Sequence, residues 1–328
     1  THLSTKRTVP VWLCLARMRG RRLGGKMAQS LEALARRTTS MQGIRSVVHT
    51  MKTLSVINAA PYEHAARAIE AYHETVLSGM HAFLSQSAKV NTGLVQEAAQ
   101  VVVVFGSDHG LCGNYNEVIA AHVAPFIQSD LAGQGTLLCI GAQMVDALTD
   151  KGLTIDACFL PPASVDGIGR LANLLTQRLD QIRAENTKHE IAVTLAYSAR
   201  VSGGGWAPKI APLLPLNPAL VAELQAKPWA SRSVPSFSMP PGELFMALIR
   251  KHLFASLFRA AAEALVTENA ARLALMQQAE QSVDDRLDAL KSEMRNLRQS
   301  EITTELLDVI IGFEALKKPR RSAPNPSE

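Results

Sequence analysis

The sequence predicts an α/β domain inserted between two long helices, one N-terminal and one C-terminal, that pair as an antiparallel coiled coil. Three observations predict it. Residues 243–311 run for 69 residues with neither Pro nor Gly. Residues 31–60 hold no Pro and one Gly, with an apolar stripe of helical period. Between these segments, short apolar runs alternate with amphipathic ones, the pattern of a mostly parallel sheet with crossover helices.

The N-terminal helix starts after Ser30, a residue type that caps helices. Leu31, Leu34, Met41, Ile44, Val47, Val48, Met51, Leu54 and Ile57 step mostly by three or four. Pro61 is a place for a kink. The stripe resumes at Tyr62, Ala66, Ile69, Tyr72, Val76, Met80 and Phe83, so one long helix or two consecutive ones cover about 30–86, within a coiled-coil segment set at 28–90. In the middle, Val101–Phe105, Leu137–Ile140 and Ile191–Tyr197 read as buried strands, with helices near 115–131, 142–150 and 167–186. This α/β domain is expected over 98–200. Residues 201–241 hold eight of the sixteen prolines and the run Gly203-Gly204-Gly205, and are expected to be a linker.

The C-terminal segment, 242–317, would be about 104 Å long as one helix over its 69 breaker-free residues, at about 1.5 Å per residue. Met276, Ala279, Val283, Leu287, Leu290, Met294 and Leu297 form its seam, extended by Val266, Leu273, Ile302, Leu306, Val309 and Ile310. Such a period calls for a partner helix and a left-handed supercoil. The N-terminal helix is the obvious partner.

Composition narrows the function classes. An apolar fraction of 47% in 328 residues supports a sizeable core and excludes wholesale disorder. The four cysteines show no metal-ligand spacing. No apolar run is long enough to span a membrane. The net charge of +5 is concentrated at one end: residues 1–26 carry seven basic residues and no acid, leaving 27 basic and 29 acidic residues in the rest. Residues 1–27 are therefore expected to be a basic leader, disordered or absent from the mature protein, with organelle targeting as the alternative. Residues 318–328 are expected to be a disordered tail.

The glycine-rich segment Gly106-Ser-Asp-His-Gly-Leu-Cys-Gly113 follows the first strand, where phosphate loops sit. It lacks the Gly-Lys-Ser/Thr of a phosphate loop and the spacing of a dinucleotide loop. A tight strand-to-helix turn built on Gly106, Asp108, Gly110, Cys112 and Gly113 is the expectation. A metal site on Asp108, His109 and Cys112, or a Cys112 nucleophile with His109 as base, are the weaker alternatives.

Longer motifs carry a resemblance. Residues 256–276, SLFRAAAEALVTENAARLALM, and 298–312, RQSEITTELLDVIIG, resemble the γ subunit of F-type ATP synthases. The segment 106–116 is similar to that family's SDRGLCGGxN loop, and Arg36-Arg-Thr-Thr-Ser40 and Met51-Lys52 fall where the family has its RRRIxS and AMK segments. The resemblance covers about 28–317. It implies a coiled-coil shaft with a Rossmann-like α/β domain. The shaft turns within a hexamer of α and β subunits, and the globular part contacts the ε subunit and the c-subunit ring.

By the same resemblance the chain has no catalytic site, cofactor or metal of its own and binds no nucleic acid. It sits peripherally on the cytoplasmic side of a bacterial inner membrane, or on the mitochondrial inner membrane if the leader is a transit peptide. Met51, Lys52, Arg272, Arg298, Gln299, Thr303 and Glu305 are then expected to touch the head. Leu306, Val309, Ile310 and Phe313 form an apolar bearing tip. The departures are His109 for a usual Arg, Thr304 for a usual Gln and a Lys/Thr-poor N-terminal helix. They suggest a divergent form, with the sodium-translocating bacterial type as the expectation. The ion site itself would lie in the c ring and the stator. Two readings outside this family stay open: a coiled-coil scaffold and a nucleotide-binding α/β protein.

Overall fold

The structure is a computed structural model that describes residues 11–86, 98–130, 135–185, 190–201, 203, 205–229, 231–233 and 235–317, with side chains described from Ser30 to Glu314. It divides into two compact units, one of residues 1–50 with 278–328 and one of residues 51–277. Two helices contribute to both: α1 (Val11–Gln86) and α6 (Pro241–Lys317). The backbone of α1 is thus helical from Val11, inside the segment set apart as a leader, while residues 1–10 and the tail 318–328 lie outside the described residues.

In the first unit the two helices run antiparallel. Thr38 Oγ1 meets Met294 Sδ at 3.6 Å, Arg45 meets Asp284 at 2.5 Å, and His49 Nδ1 meets Glu280 Oε1 at 3.0 Å. The partner number falls as the first rises. The seam on α1 passes through Leu31, Leu34, Thr38, Met41 and Val48, and on α6 through Val283, Leu287, Leu290, Met294 and Leu297. Leu290 is 2% exposed, which places it at the full-burial end of the about 1.5–3 kcal/mol a leucine contributes.

The expected stripe needs correcting at its flanks. Ile44 and Val47 are about half exposed, because the heptad phase set by Leu34, Thr38 and Met41 arrives at Arg45 and Val48. One residue is a rotation of about 100°, enough to move a side chain off the seam. Beyond Leu297 the half-buried positions are Glu301 and Thr304, so Ile302, Leu306, Val309 and Ile310 lie on exposed surface rather than in the seam.

In the second unit, residues of α1 and α6 enclose one side of a five-stranded sheet. Its strands are β1 (Ala99–Phe105), β2 (Thr136–Ile140), β3 (Ala157–Phe159), β4 (Ile191–Arg200) and β5 (Trp206–Leu214), in the order β3-β2-β1-β4-β5. The first four are parallel and β5 is antiparallel to β4. The remaining helices are α2 (Tyr115–Asp130), α3 (Ala142–Thr149), α4 (Val165–Glu185) and α5 (Pro218–Ala226).

Val102 and Val104 face a core built with α2 and α3; Val101, Val103 and Phe105 face α4 and the two long helices. Burial on both sides explains the unbroken apolar run of β1. Against the second face α6 presents Ala260, Ala261, Ala262 and Ala264, small side chains that let a helix approach a sheet closely. Pro61 does not break α1. It is exposed, as is Ile57, whose carbonyl loses its helical partner to the proline and faces water instead.

The expectation of a linker over 201–241 is overturned: the segment holds β5 and α5. Pro208 and Pro212 hid the strand, and they are tolerated because β5 is an edge strand, whose outer N–H groups need no partner. Asn217 caps α5 by accepting from Ala219 N at 2.9 Å, with Pro218 in the first turn.

In this unit α1 and α6 meet at a histidine pair, half-buried His73 Nε2 to buried His252 Nδ1 at 2.9 Å. Burial, then the charge of His73, pulls His252 down to about 4; burial, then Arg259, lowers His73, with Glu70 and Glu74 opposing. Folding therefore excludes protons that the unfolded chain takes up below its ordinary value near 6.5. The stability these groups contribute is complete above that value and is lost as pH falls toward 4. For His252 the loss is about 3 kcal/mol at the acid end. Denaturant titrations at pH 7 and pH 4.5 are expected to show it, and His252→Leu is expected to flatten the slope.

Candidate functional site

The sequence points to two places: the outward side chains of the long helices and the loop after β1. In the first unit, Arg298, Gln299, Thr303 and Glu305 all lie on exposed helix. Arg298 lines an open recess of about 320 Å³ with Lys291, Met294 and Arg295. Thr303 Oγ1 donates to the Gln299 backbone carbonyl at 2.8 Å. Following them, Leu306, Val309, Ile310 and Phe313 are between 55% and 69% exposed, and Ile302, Leu307 and Ile311 are comparable. Seven large apolar side chains are bare on one helical stretch, an exposed apolar surface of the kind found at interaction sites.

In the second unit, Met51 and Lys52 are half-buried on α1. Arg272 is only 17% exposed at its side chain and donates to Glu268 at 2.6 Å, so its guanidinium serves an internal contact.

The loop after β1 is a turn held by interlocking bonds. Ser107 N donates to Asn116 Oδ1 at 2.9 Å, and Asn116 Nδ2 donates to Ser107 Oγ at 2.8 Å. Asp108 Oδ1 accepts from Ala142 N at 3.1 Å, at the start of α3, where a carboxylate meets the positive end of the helix. A Cβ on Gly106 would lie 2.4 Å from Met144 Cβ, so glycine is there for close approach. Gly113 has φ of 68°, which closes the turn into α2.

The alternatives for this loop fare poorly. Cys112 Sγ faces Ser107 Oγ at 3.4 Å, and burial pushes its thiol up. The His109 ring is 88% exposed and 3.7 Å from Asp108, turned toward solvent rather than toward the sulfur. Among the described residues no three His, Cys, Asp or Glu groups could hold a metal ion. Gly110 has open space around it.

Partners that sequence reasoning missed complete the site. In a doubly wound domain, ligands bind outside the carboxyl ends of the strands where the order reverses. Here that point lies between β1 and β4, and α6 fills it. Tyr115 donates from its hydroxyl to the Ala264 carbonyl at 3.0 Å and meets Thr267 Oγ1 at 3.0 Å; Thr267 reaches the Ser198 carbonyl at 3.2 Å. Tyr115, Thr267 and Ser198 are fully buried. Glu268, next along α6, is 7% exposed, and burial raises its carboxyl while Arg272 pulls it back. No local signal announces this knot, because its members lie 69 to 152 residues apart.

The site of the second unit is thus a junction between the sheet and α6, while the bare apolar stretch of α6 belongs to the first unit. A sequence model of the ATP synthase family matches residues 30–316. The ATP synthase gamma chain of Granulibacter bethesdensis is 27% identical over 300 residues, covering 88% of this chain and 99% of its own length. That of Chlorobaculum parvum is 28% identical, covering 85% and 97%. Among solved structures, a chain of the Euglena gracilis mitochondrial ATP synthase, in an assembly of OSCP, F1 and c-ring, superposes with a TM-score of 0.56 at 13% identity, covering 92% of this chain and 99% of that one. A chain from the rotor of the same enzyme gives 0.55 at 14% identity. With a family model spanning nearly the whole chain and gamma chains aligned from end to end, the chain belongs to the ATP synthase family, as one of its gamma chains.

Proposed function

We propose that this chain is the central shaft of an F-type ATP synthase, turning inside a hexameric head of α and β subunits. Its globular domain engages the ε subunit and the c-subunit ring. It works on the cytoplasmic face of a bacterial inner membrane and has no catalytic site of its own. No described helix is long and apolar enough to cross a membrane. The observation that carries the reading is the bare apolar end of α6, from Ile302 to Phe313, adjoining Arg298 and Gln299.

The chemistry suits a shaft. Apolar side chains at the tip give contact without directional bonds, so a surrounding sleeve can pass over them at every angle. Arg298 and Gln299 make directional bonds to carboxylates and carbonyls, so they grip at some angles and release at others. Helix α6 occupies the crevice at the strand ends, which speaks against the nucleotide-binding reading.

The test is assembly. The full chain, expressed with the α and β subunits of its own organism, is expected to give a complex with one copy of this chain and ATPase activity that depends on it. In the complete enzyme, Arg298→Ala with Gln299→Ala is expected to lower ATP synthesis about tenfold, the effect of about 1.4 kcal/mol, with folding intact. If α and β do not take up the chain, the scaffold reading replaces this one.

A further inference from the structure

Arg200, at the carboxyl end of β4, bonds both long helices at once. Its Nη1 donates to Glu63 of α1 at 2.8 Å, while Nε and Nη2 donate to the two carboxylate oxygens of Glu263 of α6 at 3.3 and 2.9 Å. Glu63 also accepts from Arg67 at 3.0 Å, one turn along α1. Glu263 raises the Arg200 guanidinium above its ordinary value, first through the hydrogen bond. We infer that Arg200 is the positioning residue that carries torque between the globular domain and both helices of the shaft. This rests on the rotor reading above.

The argument is mechanical. A turning helix slides against whatever it packs on. In the core that α6 shares with the sheet, its side chains include Ala260, Ala261, Ala262 and Ala264 beside Leu257, Leu265 and Val266, held without directional bonds. Methyl groups interlock shallowly and resist sliding little, whereas directional bonds resist it strongly. The knot of Tyr115, Thr267 and Ser198 pins α6 to the domain. For α1, Tyr62 gives a long bond of 3.5 Å from its hydroxyl to the Pro162 carbonyl. Arg200 supplies the short, charge-assisted bond to α1, from a residue that holds α6 by a two-pronged grip. One guanidinium therefore ties both helices to the end of β4, in addition to the knot on α6 and the bond of His81 on α1 to the Lys227 carbonyl at 2.8 Å.

The experiment uses the complete enzyme in sealed vesicles, comparing ATP hydrolysis with ATP-driven ion pumping. Arg200→Ala is expected to leave hydrolysis within about twofold and to cut ions pumped per ATP about fivefold, with the deficit growing as the opposing ion gradient rises. Arg200→Lys is expected to fall between, since an ammonium cannot hold both helices with the same fork. Should Arg200→Ala fail to assemble, Glu63→Gln combined with Glu263→Gln removes the charges at constant shape and is expected to give the same split. A merely structural loss would lower hydrolysis and pumping together at every gradient, and that result, or an unchanged pumping ratio, overturns the assignment. A wild-type chain that assembles but never supports pumping would instead overturn the rotor reading.

Discussion

Replacing Gly141 with valine is expected to cost the folded chain about 3–5 kcal/mol. Gly141 precedes α3 with φ of 99° and ψ of 131°, a conformation that a side chain adopts at a penalty. Its missing Cβ would stand 2.4 Å from the Ser107 carbonyl oxygen and 2.6 Å from the carbon behind it. Both are backbone atoms, and that same oxygen accepts from Gln143 N at 3.1 Å, so it cannot swing aside. Gly141 N is itself held by the Phe159 carbonyl at 2.9 Å. Overpacking and forbidden backbone thus act at one point, where the loop after β1 meets the start of α3. Gly110→Ala is the control. Nothing lies within 4 Å of its Cβ position, and a change within about 0.5 kcal/mol is expected. Denaturant melts of the two variants side by side measure the contrast.

The second large effect is electrostatic and depends on pH. Arg272→Ala strands Glu268, which is 7% exposed and whose carboxyl burial already raises. Breaking a buried pair by removing one member costs about 3–5 kcal/mol while the survivor stays charged. The sign follows from proton binding. Without Arg272 the folded chain keeps a proton on Glu268 that the unfolded chain releases above about 4.5. Stability therefore declines as pH rises above that point, so the variant is expected to be weaker at pH 8 than at pH 5. Glu268→Gln in the Arg272→Ala background is expected to restore much of the loss and to remove the pH dependence. Melts across that range distinguish the pair from an ordinary surface contact, whose removal would shift stability by less than about 1 kcal/mol at any pH.

These effects show where the sequence was informative and where it was not. Helices α1 and α6 were legible because breakers are few and apolar residues recur at helical spacing. Their seam was legible to within one residue, and that residue decided whether Ile44 and Val47 were inside or out. Strands β1, β2 and β4 announced themselves as Val-, Leu- and Ile-rich runs. Strand β3 has three residues, too few for a pattern, and β5 was masked by Pro208 and Pro212. In the loop, Gly106 and Gly113 were legible as glycines that a turn demands. Gly141 was not, since its requirement comes from Ser107, across the sheet end. The Tyr115–Thr267–Ser198 knot depends on tertiary contact and leaves no trace in local sequence; Arg272–Glu268 is visible as an i,i+4 pair, but its burial is not.

The prolines of β5 have one more consequence. An uncovered strand offers a row of hydrogen-bonding groups to any other extended chain it meets. Pro208 and Pro212 sit opposite Ser198 and Thr194 on β4. They interrupt that row of donors on the far side, so a stray strand finds gaps where bonds should form. A rotating part must touch only its own neighbours, and a border that cannot be zipped onto keeps it from jamming against a second copy of itself.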